Sequence, residues 1–132
     1  LRGLCLATGR IAEAQQIPLQ FLEHILLELK HARLVRARRG ARGGYWLARP
    51  PEEITLADIF RAVEGPLANV QDEAPEAKSY PGRAAPLRDV WIAVRASLRR
   101  VLERVTIAAL RQGHIPDEVL ELTQDEGAWV TR

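Results

Sequence analysis

The sequence predicts a mainly α-helical fold with one small β-hairpin: a winged helix-turn-helix followed by a long C-terminal helix. Three observations lead there. "IPLQFLEHILLELKHA" carries an apolar stripe at helical spacing just after a shorter helical piece. "RLVRARRGARGGYWLAR" then supplies two short strand patterns around glycines. Residues 87–111 form one long amphipathic stretch.

From the N-terminal side, "LRGLCLATG" over residues 1–9 reads as the tail of a helix. The chain starts at Leu1 and contains no methionine, so residues are expected to be missing before it. "RIAEAQQ" is a short helix with Ile11 and Ala14 at i,i+3. Pro18 suits a first helical position, and Leu19, Leu22, Ile25, Leu26 and Leu29 make the stripe of the next helix. Gln20, Glu23, His24 and Lys30 fall off that stripe. Two helices joined by a tight connection form a helix-turn-helix, and the hairpin that follows makes it winged. Within the hairpin, Tyr45 and Leu47 are expected to anchor the wing to the core.

Pro50 and Pro51 end the second strand. Thr55 and Asp58 give a T-x-x-D helix start, and Gly65-Pro66 give its stop. Residues 67–86, with Pro75, Pro81, Gly82 and Pro86, read as a loop. In the last long helix Trp91, Val94, Leu98, Val101, Val105 and Ala108 recur at alternating spacings of three and four, a coiled-coil seam. A solitary 25-residue stripe must bury itself either on its own domain or, as is expected, against its copy in a second subunit. The domains are therefore 1–66 for the winged helix, 67–86 for the loop, and 87–132 for the dimerisation helix and an acidic tail.

Charge narrows the function. The formal net charge is only +2, but residues 30–49 hold seven Lys or Arg and no acid, whereas 117–126 hold five acids and no base. Such a basic stretch favours a polyanion. The glycines match neither G-x-x-x-x-G-K-[ST] nor G-x-G-x-x-G, and no helix follows Gly44, which excludes a nucleotide-binding loop of those kinds. His24, His31 and His114, with Ser79 and Ser97, stand in no nucleophile or acid–base pattern, so no enzyme is expected. His24 and His31 lie two turns apart on one helix, about 10.5 Å by helix rise, too far to share a metal ion. Cys5 is the only cysteine, so a thiolate cage is not expected either. There is no apolar run near 18 residues and no signal-peptide pattern, and a cytoplasmic location without membrane contact is expected.

With the helix pair, the hairpin "RGARGGYWLARPPEEITLADIFRAVEGP" and the segment "LRDVWIAVRASLRRVLERVT" in place, the chain resembles the Rrf-two family of bacterial transcriptional regulators. That family includes the iron–sulfur-assembly, nitric-oxide-sensing and cysteine-metabolism repressors. The matching segments cover about half the chain, with the strongest signature at RG-x-x-GGY-x-L.

The resemblance implies a homodimeric repressor bound to a pseudo-palindromic operator in double-stranded DNA. Pro18, Leu19, Gln20, Glu23 and His24 would lie at or near base edges in the major groove. Gln20 can read adenine and Glu23 can accept from cytosine N4. Arg39 and Arg42, with Gly43 at the tip, would enter the neighbouring minor groove, while Arg36 and Arg38 would hold the backbone. Trp91, Val94, Leu98, Val101 and Val105 would form the dimer interface. A different class of function is also open: an interaction module on the same fold that no longer reads DNA. A sensor pocket beside Trp91 is a further option.

Sensing members of the family hold an iron–sulfur cluster through three cysteines between the "EGP" helix and the long helix. Here "LANVQDEAPEAKSYPGRAAPLRDVW" contains none, so no cluster is expected in this chain. Two readings stand: a member whose signal is not a cluster, or one in which Ala74, Ala77, and Ala84 or Ala85 replace the ligand cysteines of a native iron–sulfur protein.

Overall fold

A computed structural model describes residues 4–132. Among them are six α-helices and one two-stranded antiparallel sheet. Helix α1 spans Thr8–Gln15 and α2 spans Leu19–His31. Strands β1 (Val35–Arg38) and β2 (Gly44–Leu47) form the wing. Then come α3 (Leu56–Glu64), α4 (Leu87–Leu102), α5 (Ile107–Gln112) and α6 (Asp117–Leu122).

The first core lies under the helix-turn-helix. Ala12 of α1 meets Leu22 and Leu26 of α2, with Ile11, Ile17, Leu29 and Tyr45 packed around them. Gln16 takes the left-handed conformation (φ 53°), and the Ile17 N–H donates to the Ala12 carbonyl (3.0 Å). That closes α1 and turns the chain in three residues. Pro18 is the N-cap of α2 rather than its first helical residue. Leu19 stays exposed, so the buried part of the expected stripe is narrower than the sequence pattern.

Residues 4–7 are not the tail of a helix; Leu1–Gly3 lie outside the described residues. Leu6 and Tyr45 form an antiparallel bridge, with their N–H groups donating reciprocally (2.9 and 2.8 Å). The close approach requires glycine at position 44, because a Cβ there would collide with the Leu6 carbonyl. Tyr45 anchors the wing as expected, but Leu47 is exposed and does not.

The long helix expected over 87–111 is two helices. No proline or glycine interrupts it. Instead Thr106 caps α5, accepting from the Ala109 N–H (3.0 Å). The Leu56 N–H donates to the Val105 carbonyl (2.8 Å), and the Ile107 N–H donates to the Ile54 carbonyl (3.0 Å). Thr55 and Thr106 face each other across this bridge, each starting a helix. Thr55 completes a capping box with Asp58: the Asp58 N–H donates to Thr55 Oγ1 (3.1 Å) and the Thr55 N–H to Asp58 Oδ2 (3.0 Å). Ile54, Ala57, Val105 and Ala108 are buried as a second core. The Arg61–Glu103 ion pair (2.6 Å) ties α3 to the end of α4.

Val105 therefore belongs to the inner core of its own chain and not to a seam between subunits. Val105→Ala is expected to cost about 2 kcal/mol of stability, from the lost burial. It should leave subunit association unchanged, which thermal melts and sedimentation would show.

Candidate nucleic-acid interface

Helix α2 presents Gln20, Glu23 and His24 to solvent near its N-terminal end, while Leu22 and Leu26 face inward. The spacing of three and four residues puts Gln20, Glu23 and His24 on one side of the helix. Its first turn contains no acid, and Pro18 makes no side-chain cap. The leading N–H groups and their partial positive charge are thus left for an anion. Pro18 and Leu19 are exposed beside them.

The wing joins the same core through Tyr45. In its register Val35 pairs with Leu47, Arg36 with Trp46, Ala37 with Tyr45 and Arg38 with Gly44. Alternation sends Val35, Ala37 and Tyr45 to one face and Arg36 and Trp46 to the other. The tip, residues 39–43, turns through Gly40 (φ 105°) and a Gly43 N–H donated to the Gly40 carbonyl (2.9 Å). Gly43 admits no Cβ, which would strike the Arg38 and Gly40 carbonyls. Arg38 is engaged in the tip itself: its guanidinium donates to the Arg42 carbonyl (2.8 Å). Arg36, Arg39 and Arg42 are exposed, with no carboxylate partner among the described residues. Helix α2 and a carboxylate-free basic finger are thus fixed to one small core.

A family profile described as an iron-dependent transcriptional regulator, Rrf2, matches residues 3–113. The chain belongs to the Rrf2 family. Among its relatives, Rv1287 of Mycobacterium tuberculosis, named as an HTH-type transcriptional regulator, is 47% identical over 123 residues, 93% of this chain and 76% of that protein. The HTH-type transcriptional regulator CymR of Bacillus subtilis is 37% identical over 103 residues, 76% of this chain and 67% of CymR. The solved structure of B. subtilis CymR, described as the global cysteine regulator, superposes with a TM-score of 0.61 at 33% identity, covering 80% of this chain and 77% of that one. T. potens IscR gives 0.61 at 29% identity, over 97% and 76%. This Rrf2 protein is accordingly a DNA-binding transcriptional regulator with a winged helix, in a family of regulators rather than enzymes. No helix among the described residues is long and apolar enough to cross a membrane.

The loop before α4 tests the family's iron. Its short 3-10 turn Pro75–Ala77 packs on α4, with Pro75 fully buried and Glu76 paired to Arg95 (2.6 Å). Ala74 precedes that turn and Ala77 ends it, whereas Ala84 and Ala85 are exposed in and after a second turn, Gly82–Ala84. None carries a donor atom. The loop carboxylates Glu73 and Glu76 are engaged by Lys78 (3.3 Å) and Arg95. Cys5 sits beside the Leu6–Tyr45 bridge, in another segment. These residues do not fit a thiolate-held iron–sulfur cluster.

The Glu76 carboxyl is held below the ordinary glutamate range, first by its own backbone N–H and then by Arg95. A depressed carboxylate contributes stability above its unfolded pKa and loses it as pH falls through the folded value. The Glu76–Arg95 contact is therefore expected to be formed at neutral pH and to weaken only in acid. Glu76→Gln should loosen the turn only modestly at neutral pH, with little change in global stability, since Glu76 is exposed and buried Pro75 still anchors the turn. Amide exchange of residues 73–78 measures both.

The α4 surface departs from the expected seam. Leu87, Val90, Val94 and Leu98 are exposed, and Val90, Val94, Leu98 and Val101 line a shallow apolar groove closed by Leu122 of α6. Trp91 is half-buried, one turn before the loop-paired Arg95 and on the same face, with its Nε1 sealed from solvent. The spacing 87, 90, 94, 98, 101 is as regular as the one starting at Trp91, and its first four members are the exposed ones.

Proposed function

We propose that the protein works as a cytoplasmic homodimeric repressor on a pseudo-palindromic operator. The observation that carries this reading is the mounting of an exposed polar helix face and an exposed basic finger on one core. Gln20, Glu23 and His24 stand free on α2, and an arginine finger without carboxylates stands beside them. In the complex, Pro18, Leu19, Gln20, Glu23 and His24 approach base edges in the major groove. Arg39 and Arg42, shaped by Gly43, enter the minor groove, and Arg36 contacts the backbone. Arg38 contributes through the tip it braces. The row on α4 of exposed Val90, Val94 and Leu98 with half-buried Val101 supplies the dimer interface, which sets two half-sites at a fixed spacing. Repression follows the resemblance to the family's repressors, and the signal in this chain is something other than a loop-bound cluster.

Glu23→Ala tests base reading. It is expected to relax preference at one base pair by about 1–3 kcal/mol while leaving non-specific binding nearly intact. Anisotropy titrations against single-base variants of a selected site would show this. Equal loss on all sequences would make Glu23 a structural residue.

A further inference from the structure

The outer face of the wing base carries a cluster of cations of which operator binding, as proposed, uses only Arg36. A cavity of about 580 Å³ opens there, lined by Lys30, Arg33, Arg36, Arg49 and Trp46, with small apolar residues between them. No acid lines it. Arg49 is shared with Asp58 (3.6 Å), but Lys30, Arg33 and Arg36 have no carboxylate partner among the described residues. Arg36 stands directly across the hairpin from Trp46, so a guanidinium and an indole share one wall.

Arg33 adds an independent observation. It follows the Ala32 C-cap of α2 with φ 61°, in the left-handed region. The Arg33 N–H donates to the Lys30 carbonyl and the Leu34 N–H to the Leu29 carbonyl, both at 3.0 Å. This is a Schellman ending, whose left-handed position favours glycine. An arginine is kept at a strained position, and its side chain lines the cavity.

We propose that this cavity binds a nucleoside phosphate, with the phosphate held among Lys30, Arg33 and Arg36 and the base stacked on Trp46. Guanidinium groups bind phosphate oxygens in pairs, and an indole face accepts any base. The volume suits a mononucleotide. The site begins about 15 Å along α2 from Gln20 by helix rise, so it lies apart from the base-reading end. The same chemistry has two sources: a free mononucleotide, or a nucleotide of the DNA flanking the operator.

Calorimetric titration of the full chain with AMP, adenosine and inorganic phosphate tests the site, alongside a 40-base-pair random duplex. AMP is expected to bind about tenfold or more tighter than adenosine or phosphate. Arg33→Gly should weaken AMP about tenfold while leaving the melting temperature equal or higher, because it relieves the left-handed strain. Trp46→Leu should abolish the preference for AMP over inorganic phosphate. If AMP does not bind but Arg33→Gly lowers the salt dependence of duplex binding by about one phosphate contact, the source is flanking DNA. A folded Arg33→Gly protein that binds both AMP and duplex like the parent overturns the proposal. The inference does not rest on operator reading: AMP binding without DNA selectivity would remove that reading and leave this one.

Discussion

Replacing Val94 and Leu98 together with aspartate is expected to leave a folded monomer where the proposed homodimer would otherwise form. Both side chains are exposed in the single chain, at 38% and 39%, so the monomer tolerates the charges. In a dimer they would be buried against apolar partners with nothing to pair with, and burying an unpaired carboxylate is prohibitive. Operator affinity should then fall by about 100-fold or more, because the second half-site no longer binds at the high effective concentration that linkage provides. Sedimentation equilibrium reads the association and anisotropy reads the affinity. Trp91→Phe serves as the control, since Trp91 is half-buried with its Nε1 sealed within the single chain; it should associate as the parent does. A double aspartate variant that still sediments as a dimer would place the interface elsewhere.

The second large effect concerns the wing tip. Arg39→Ala with Arg42→Ala removes two exposed cations from each finger without touching the glycines that shape it. A dimer would lose about four phosphate or minor-groove contacts, so the slope of log affinity against log salt should flatten by roughly 3–4. Affinity at physiological salt should drop by about 100-fold or more, for selected and random duplexes alike. Circular dichroism should be unchanged, because neither side chain supports the fold. A variant that kept the parent's salt slope would show that the tip does not meet DNA.

Much of the reading half was legible in the sequence because its signals are local. Pro18, the α2 stripe, the glycines at 40, 43 and 44, and the Thr55–Asp58 box each fix structure within a few residues. The errors came where tertiary partners override local pattern. Residues 87–111 contain no breaker, and periodicity alone extends one helix through them. The chain stops it at Leu102 because "VTIA" at 105–108 repeats the "ITLA" of 54–57, and the two segments bridge and cap side by side. That internal echo was visible, but its meaning needed the pairing. Trp91 gives no sign in the sequence that its Nε1 is sealed, because the loop before α4 has no regular pattern. Leu6 pairs with Tyr45 only because Gly44 lets two backbones approach, which no propensity reports. Arg33 gave no sequence signal at all, since its interest lies in its left-handed conformation.

The claim at the centre is that α2 and the wing read DNA sequence as one unit. Selection of bound duplexes from a random pool, followed by salt-titrated anisotropy on the enriched and random sequences, tests it most directly. A winged-helix dimer predicts an enriched pseudo-palindrome bound about 10³-fold or more tighter than random duplex, with Glu23→Ala relaxing one position in each half-site. No enrichment, with equal and purely salt-controlled binding to every duplex, would contradict it.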